Sequence, residues 1–117
     1  MKQLILTFII LVSLVGANSL GRFYIEEPLY TGKEAEMLFI VRNPTDDKLE
    51  DVNVRLFFYD LGIKIVSNKF DIHSEDHQLA RINWIVPERI KPGSYITRIA
   101  VGNDKYTDVK HIYLNIR

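Results

Sequence analysis

The segment Pro87-Glu88-Arg89-Ile90-Lys91-Pro92-Gly93-Ser94-Tyr95-Ile96-Thr97-Arg98-Ile99-Ala100-Val101 carries a turn signal with a strand directly behind it. Proline presets φ for the second position of a turn, and glycine accepts the positive φ that a type II turn needs next, so Pro92-Gly93 reads as that turn. Tyr95 then stands at the mouth of a strand that crosses between two sheets. A tyrosine there packs its ring into the core while its hydroxyl reaches back to a main-chain group a few residues upstream, the arrangement called a tyrosine corner. Pro92, Gly93 and Tyr95 are therefore expected to form a structural corner.

Working outward, the chain from Leu20 reads as short strands between turn residues, without a long stretch of helical periodicity. Arg22 to Glu26 is a first strand, closed by Pro28 and Gly32. Glu34 to Arg42 sets Ala35, Met37, Phe39 and Val41 against Glu36, Leu38, Ile40 and Arg42, so both faces carry large apolar groups and the strand is expected to be central. Asn43-Pro44-Thr45-Asp46-Asp47 ends it. Asp51 to Tyr59 places Val52, Val54, Leu56 and Phe58 inward. Gly62 allows a turn or bulge before Ile63 to Val66, and Phe70 and Ile72 anchor the polar segment that follows. Leu79 to Val86 groups Ala80, Ile82, Trp84 and Val86. Tyr95 to Val101 and Tyr106 to Ile116 form a closing hairpin through Gly102-Asn103-Asp104-Lys105, where Asn and Asp tolerate the left-handed conformation. Seven to eight short strands with a tyrosine corner specify an all-β protein, an immunoglobulin-like or fibronectin-III-like antiparallel sandwich.

The 117 residues suit one such domain behind a leader. Lys2 precedes an apolar run from Leu4 to Val15, and Ala17-Asn18-Ser19 offers small residues around a cleavage point, so residues 1–19 read as a secretory signal peptide and residues 20–117 as the sandwich. The run is shorter than the roughly 20 residues a membrane span requires. The expected location is secreted or cell-surface, with no membrane span once the leader is removed. The 15 basic and 15 acidic residues cancel, so no bulk field attracts nucleic acid. Cysteine is absent, which excludes disulfides, thiolate chemistry and cysteine-ligated metal.

The succession Asn43-Pro44, Val52-Asn53-Val54-Arg55-Leu56, Asp60-Leu61-Gly62-Ile63, Phe70-Asp71-Ile72, Pro87, Pro92-Gly93-Ser94-Tyr95 and Val101-Gly102-Asn103-Asp104 resembles the Ig-like domains of archaeal surface proteins, CARDB and adhesion-type β-sandwich modules of S-layer-like proteins. The resemblance covers Glu34 to Ile116. It implies an exported envelope module for packing, adhesion or assembly, with no catalytic residues to carry over.

Candidate chemistry is sparse. His73 and His77 would share a face only on a helix, which this region does not resemble, and His111 lies far off in the last strand, so no metal site is expected. The acidic pairs Asp46-Asp47, Glu50-Asp51 and Glu75-Asp76 lack the alternating pattern of a calcium loop. Ser67, Ser74 and Ser94 have no nucleophile-elbow surroundings. The chain is accordingly read as a non-enzyme that takes no cofactor. Phe57 and Tyr59 alternate out of the inner set, and with Tyr106 and Tyr113 they are the candidate interaction surface. Burial under strand twist is the ordinary fate of such rings. If exposed, they suit assembly with an envelope protein or a second copy better than sugar stacking, because few amides flank them. A carbohydrate-binding module, or a membrane-tethered accessory subunit of a filament or secretion machine, is the alternative.

Overall fold

The computed structural model describes residues 8–13 and 20–117. Nine strands are described: β1 (Phe8–Ser13), β2 (Leu20–Glu27), β3 (Glu34–Arg42), β4 (Leu49–Phe58), β5 (Ile63–Val66), β6 (Phe70–Ile72), β7 (His77–Ile85), β8 (Gly93–Gly102) and β9 (Thr107–Ile116). One sheet has the order β1-β2-β3-β7; the other has the order β5-β4-β8-β9, with β6 also paired to β4, and every strand pairing is antiparallel. This is an all-β, Ig-like sandwich. Period-two alternation is clearest in β3 and β9, whereas the end of β8, inside its sheet between β4 and β9, is buried on both faces.

The inward faces of the two sheets merge into one core. Phe23 and Ile25 from β2, Met37, Phe39 and Val41 from β3, and Ala80 and Ile82 from β7 meet Val52, Val54, Leu56 and Phe58 from β4 and Ile99, Val101, Leu114 and Ile116 from β8 and β9. Phe58 stacks on Trp84 at 5.1 Å between centroids, which ties β4 of one sheet to β7 of the other. Trp84 stays half-buried at the rim of the core. After β2 the chain passes the cis Glu27–Pro28 bond and changes sheets, Leu29 forming a parallel bridge with Ile116. The carboxylate of Glu27 accepts a hydrogen bond from the Asn115 amide at 2.6 Å at this crossing.

The corner differs in part from the expectation. The Tyr95 hydroxyl donates to the carbonyl of Lys91, four residues upstream, while its ring packs against the core. Gly93, however, is not among the glycines with positive φ and is already the first residue of β8, opposite Ile116. The reversal lies earlier, where the Ile90 amide donates to the Pro87 carbonyl at 3.3 Å. The strand therefore starts as soon as the chain leaves Pro92, and the glycine needs no special backbone there.

The β8–β9 turn also works differently. Neither Asn103 nor Asp104 takes a left-handed φ; the unusual backbone is that of Gly102, at φ 145°. A Cβ on Gly102 would lie 1.9 Å from the Tyr106 carbonyl oxygen, so only glycine fits. Asn103 acts through its side chain, with Oδ1 accepting from the amides of Lys105 and Tyr106 at 3.0 and 2.9 Å. Asn and Asp stabilise turns by this route as well as by tolerating left-handed backbone.

Within the apolar stretch read as a leader, Phe8–Ser13 lies along β2 as an edge strand, with Phe8 opposite Glu27 and Ser13 opposite Arg22. The rest of that stretch lies outside the described residues. Among the described residues no helix is long and apolar enough to cross a membrane.

Candidate functional site

Register decides which side chains share the outer face of the β5-β4-β8-β9 sheet, because residues directly opposite one another point the same way. One row runs Val66, Arg55, Ala100, Val109 across the four strands. The next runs Lys64, Phe57, Arg98, His111. Beyond it Ile96 faces Tyr113, and Tyr59 follows the end of β4. Arg55, Phe57, Lys64, Arg98 and Thr107 line a shallow depression on this face.

The aromatic groups here are connected. Phe57 and Tyr59 meet edge to face at 5.1 Å, and the rings of Tyr59 and His111 lie nearly parallel with centroids 5.9 Å apart. The Tyr59 hydroxyl is in hydrogen-bond contact with His111 Nε2 at 3.1 Å. Tyr113 is 65% exposed and Tyr59 44%, so these two rings are not covered by twist or loops; Phe57 is half-buried. Tyr106 sits apart. It is half-buried in the β8–β9 turn, its carbonyl taken by the Asn103 amide, and it is not on the outward register of β9.

Over most of this face charge has one sign; Glu50 and Asp51 at the start of β4 and Asp71 of β6 are exposed acids at its far end. Along Asn53–Phe58, β5, β8 and β9 the sole carboxylate is Asp108, which stands opposite Val101 in the inward register. The outward positions instead carry Arg55, Lys64 and Arg98. The outward register of the opposite sheet mixes signs, with Glu34, Glu36, Arg42 and Arg81 interspersed and an ion pair of 3.7 Å between Glu36 and Arg81. Arg55 Nε is enclosed and has no hydrogen-bond partner among the described residues.

The other candidates do not converge. His73 and His77 flank the turn between β6 and β7, both exposed, whereas His111 belongs to the other sheet's outer face. Among the described residues no three His, Asp or Glu side chains come together in a way that could hold a metal ion. Ser67 and Ser74 are engaged with backbone, Ser67 Oγ accepting from the Val54 amide and Ser74 Oγ donating to the Thr45 carbonyl. A small depression at the end of the opposite sheet gathers Glu26, Glu27, Glu34 and Glu36, but Glu27 is committed to the Asn115 amide.

No family model matches the chain, and no curated protein matches it. Solved structures do share the fold. The chain is similar to a CARDB domain from Pyrococcus furiosus solved in complex with di-metal ions, at 13% identity and a TM-score of 0.60, covering 81% of this chain and 84% of that one. It is similar to the C-terminal domain of Wzt at 12% identity and a TM-score of 0.60, covering 95% and 78%. It also matches 27% of the alkylpurine DNA glycosylase AlkC of Pseudomonas fluorescens, solved bound to DNA containing an abasic site analogue, at 12% identity and a TM-score of 0.56 over 76% of this chain. At these identities the likeness concerns the fold.

Proposed function

We propose that this chain is a non-enzymatic, extracytoplasmic Ig-like module that attaches to the cell envelope through the outer face of its β5-β4-β8-β9 sheet, in adhesion or S-layer-like assembly. One observation carries the reading. Of the seven large apolar side chains exposed among the described residues, four (Tyr59, Val66, Val109 and Tyr113) lie on this one face. Exposed large apolar side chains gathered on one face mark a contact surface, whereas exposed residues scattered singly need no explanation. The apolar leader of residues 1–19 supports the extracytoplasmic address, and the sandwich's likeness to part of a much larger enzyme suits a fold used as a module. The partner is an envelope component or a second copy of the chain.

Co-sedimentation with envelopes of the cell that makes the protein tests this. The unaltered chain pellets with them, the Tyr59→Ser/Tyr113→Ser variant remains in solution while still melting cooperatively as a folded protein, and Leu79→Ser/Ile85→Ser on the opposite sheet still pellets. Loss of pelleting only in the opposite-sheet variant would overturn the choice of face.

A further inference from the structure

We infer that the outer face of the β5-β4-β8-β9 sheet binds an acidic polysaccharide, its carboxylate groups paired with Arg55, Lys64 and Arg98 and its sugar rings stacked on Tyr59 and Tyr113. The inference rests on the proposed working face and adds the class of its ligand.

The chain as a whole is neutral, yet this face presents three cations and no outward carboxylate over the stretches given above. Such segregation leaves cations without local acidic partners and creates a field that selects an anion. Lys64 and Arg98 stand in one row on either side of Phe57, two strand spacings or about 9.5 Å apart at the backbone. Arg55 and Arg98 are diagonal neighbours on adjacent strands, about 7 Å apart by the same geometry. A guanidinium offers a fork that fits a carboxylate in two parallel hydrogen bonds.

The interleaving of charge and rings distinguishes among polyanions. A nucleic acid bears a charge at every phosphate and is met by a continuous basic stripe. Here each cation adjoins an aromatic or aliphatic side chain: Arg98 lies opposite Phe57, and Arg55 lies opposite Val66 and Ala100. That pattern fits a polymer that carries charge on some units and offers apolar ring faces on the rest. Few amides flank these rings; on the folded sheet guanidinium and ammonium groups supply the polar contacts instead.

Isothermal titration of the full chain with polygalacturonate, neutral pullulan and a single-stranded DNA oligonucleotide provides the test, alongside co-sedimentation with protease-stripped envelopes. Polygalacturonate binds and pullulan does not. Arg55→Gln/Arg98→Gln and Tyr113→Ala each weaken binding roughly tenfold, Arg98→Lys, which keeps the charge and loses the fork, weakens it by less than the double variant, and added salt weakens it. Stripped envelopes still bring the chain down. Failure of polygalacturonate to bind, equal binding by the double arginine variant, tighter binding of the oligonucleotide, or loss of pelleting after protease treatment would each overturn the ligand class. If pelleting with intact envelopes still depends on Tyr59 and Tyr113, the working face survives that failure; if it does not, both readings fall.

Discussion

Asn43 looks, along the sequence, like a strand-ending residue before a proline, yet it is fully buried and holds three segments together. Its Nδ2 donates to the carbonyls of Asp47 and Ile72 at 2.7 and 2.9 Å, its Oδ1 accepts from the Thr45 amide, and its backbone exchanges hydrogen bonds with Glu75 and Asp76. Removing such an amide strands several groups at once, so Asn43→Ala is expected to cost about 3 kcal/mol, measured by urea denaturation. Tyr95→Phe removes one hydroxyl clasp and should cost about 1 kcal/mol; an unchanged melting curve would refute the corner. Gly102→Ala drives a Cβ into the Tyr106 carbonyl and should cost about 3 kcal/mol or more, where Gly93→Ala, whose Cβ meets only ordinary contact at 3.6 Å, should cost far less. Comparing the two melting curves separates a glycine required by its backbone from one that is not. The Tyr95 clasp was legible because it is local. The Asn43 hub was not, because Ile72 at the end of β6 and Glu75 and Asp76 in the turn after it reach Asn43 only in the tertiary fold.

At the scale of elements, alternation made the strands legible to within about two residues at most ends, as at β3, expected and found over Glu34–Arg42. The period fails where a strand is too short or irregular to show it. β6 has three residues, and β4 changes register between Leu49 and Val52, where Asp51 takes a φ of 57°. Alternation also cannot reveal which cations share a face across strands: Arg55, Lys64 and Arg98 become neighbours only once the hairpin registers are set. Phe58 couples the two sheets through Trp84, so Phe58→Ala should destabilise by about 4 kcal/mol, whereas Phe57→Ala on the half-buried outer face should cost much less; denaturant midpoints of the two variants check this. Equal losses would mean that the outer ring belongs to the packed core.

Across the whole molecule, the two outer faces differ in kind: one mixes charges and pairs them, the other sets cations among exposed rings. With no cysteine in the chain, the sandwich is held by its hydrophobic core without disulfides. Removal of the leader would take away β1 and leave β2 as the edge of its sheet. Intact-mass spectrometry of protein recovered from its native envelope is expected to give a chain beginning near Asn18 or Leu20; a mass retaining Met1 or Lys2 would make the leader an anchor and favour the tethered-subunit reading. The central claim, that one sheet face does the binding, is tested most directly by replacing Tyr113 or Ile85 with a photo-crosslinking residue and irradiating the protein on its native envelope. The account predicts crosslinked adducts from position 113 and none above background from position 85. Adducts from position 85 alone would contradict it.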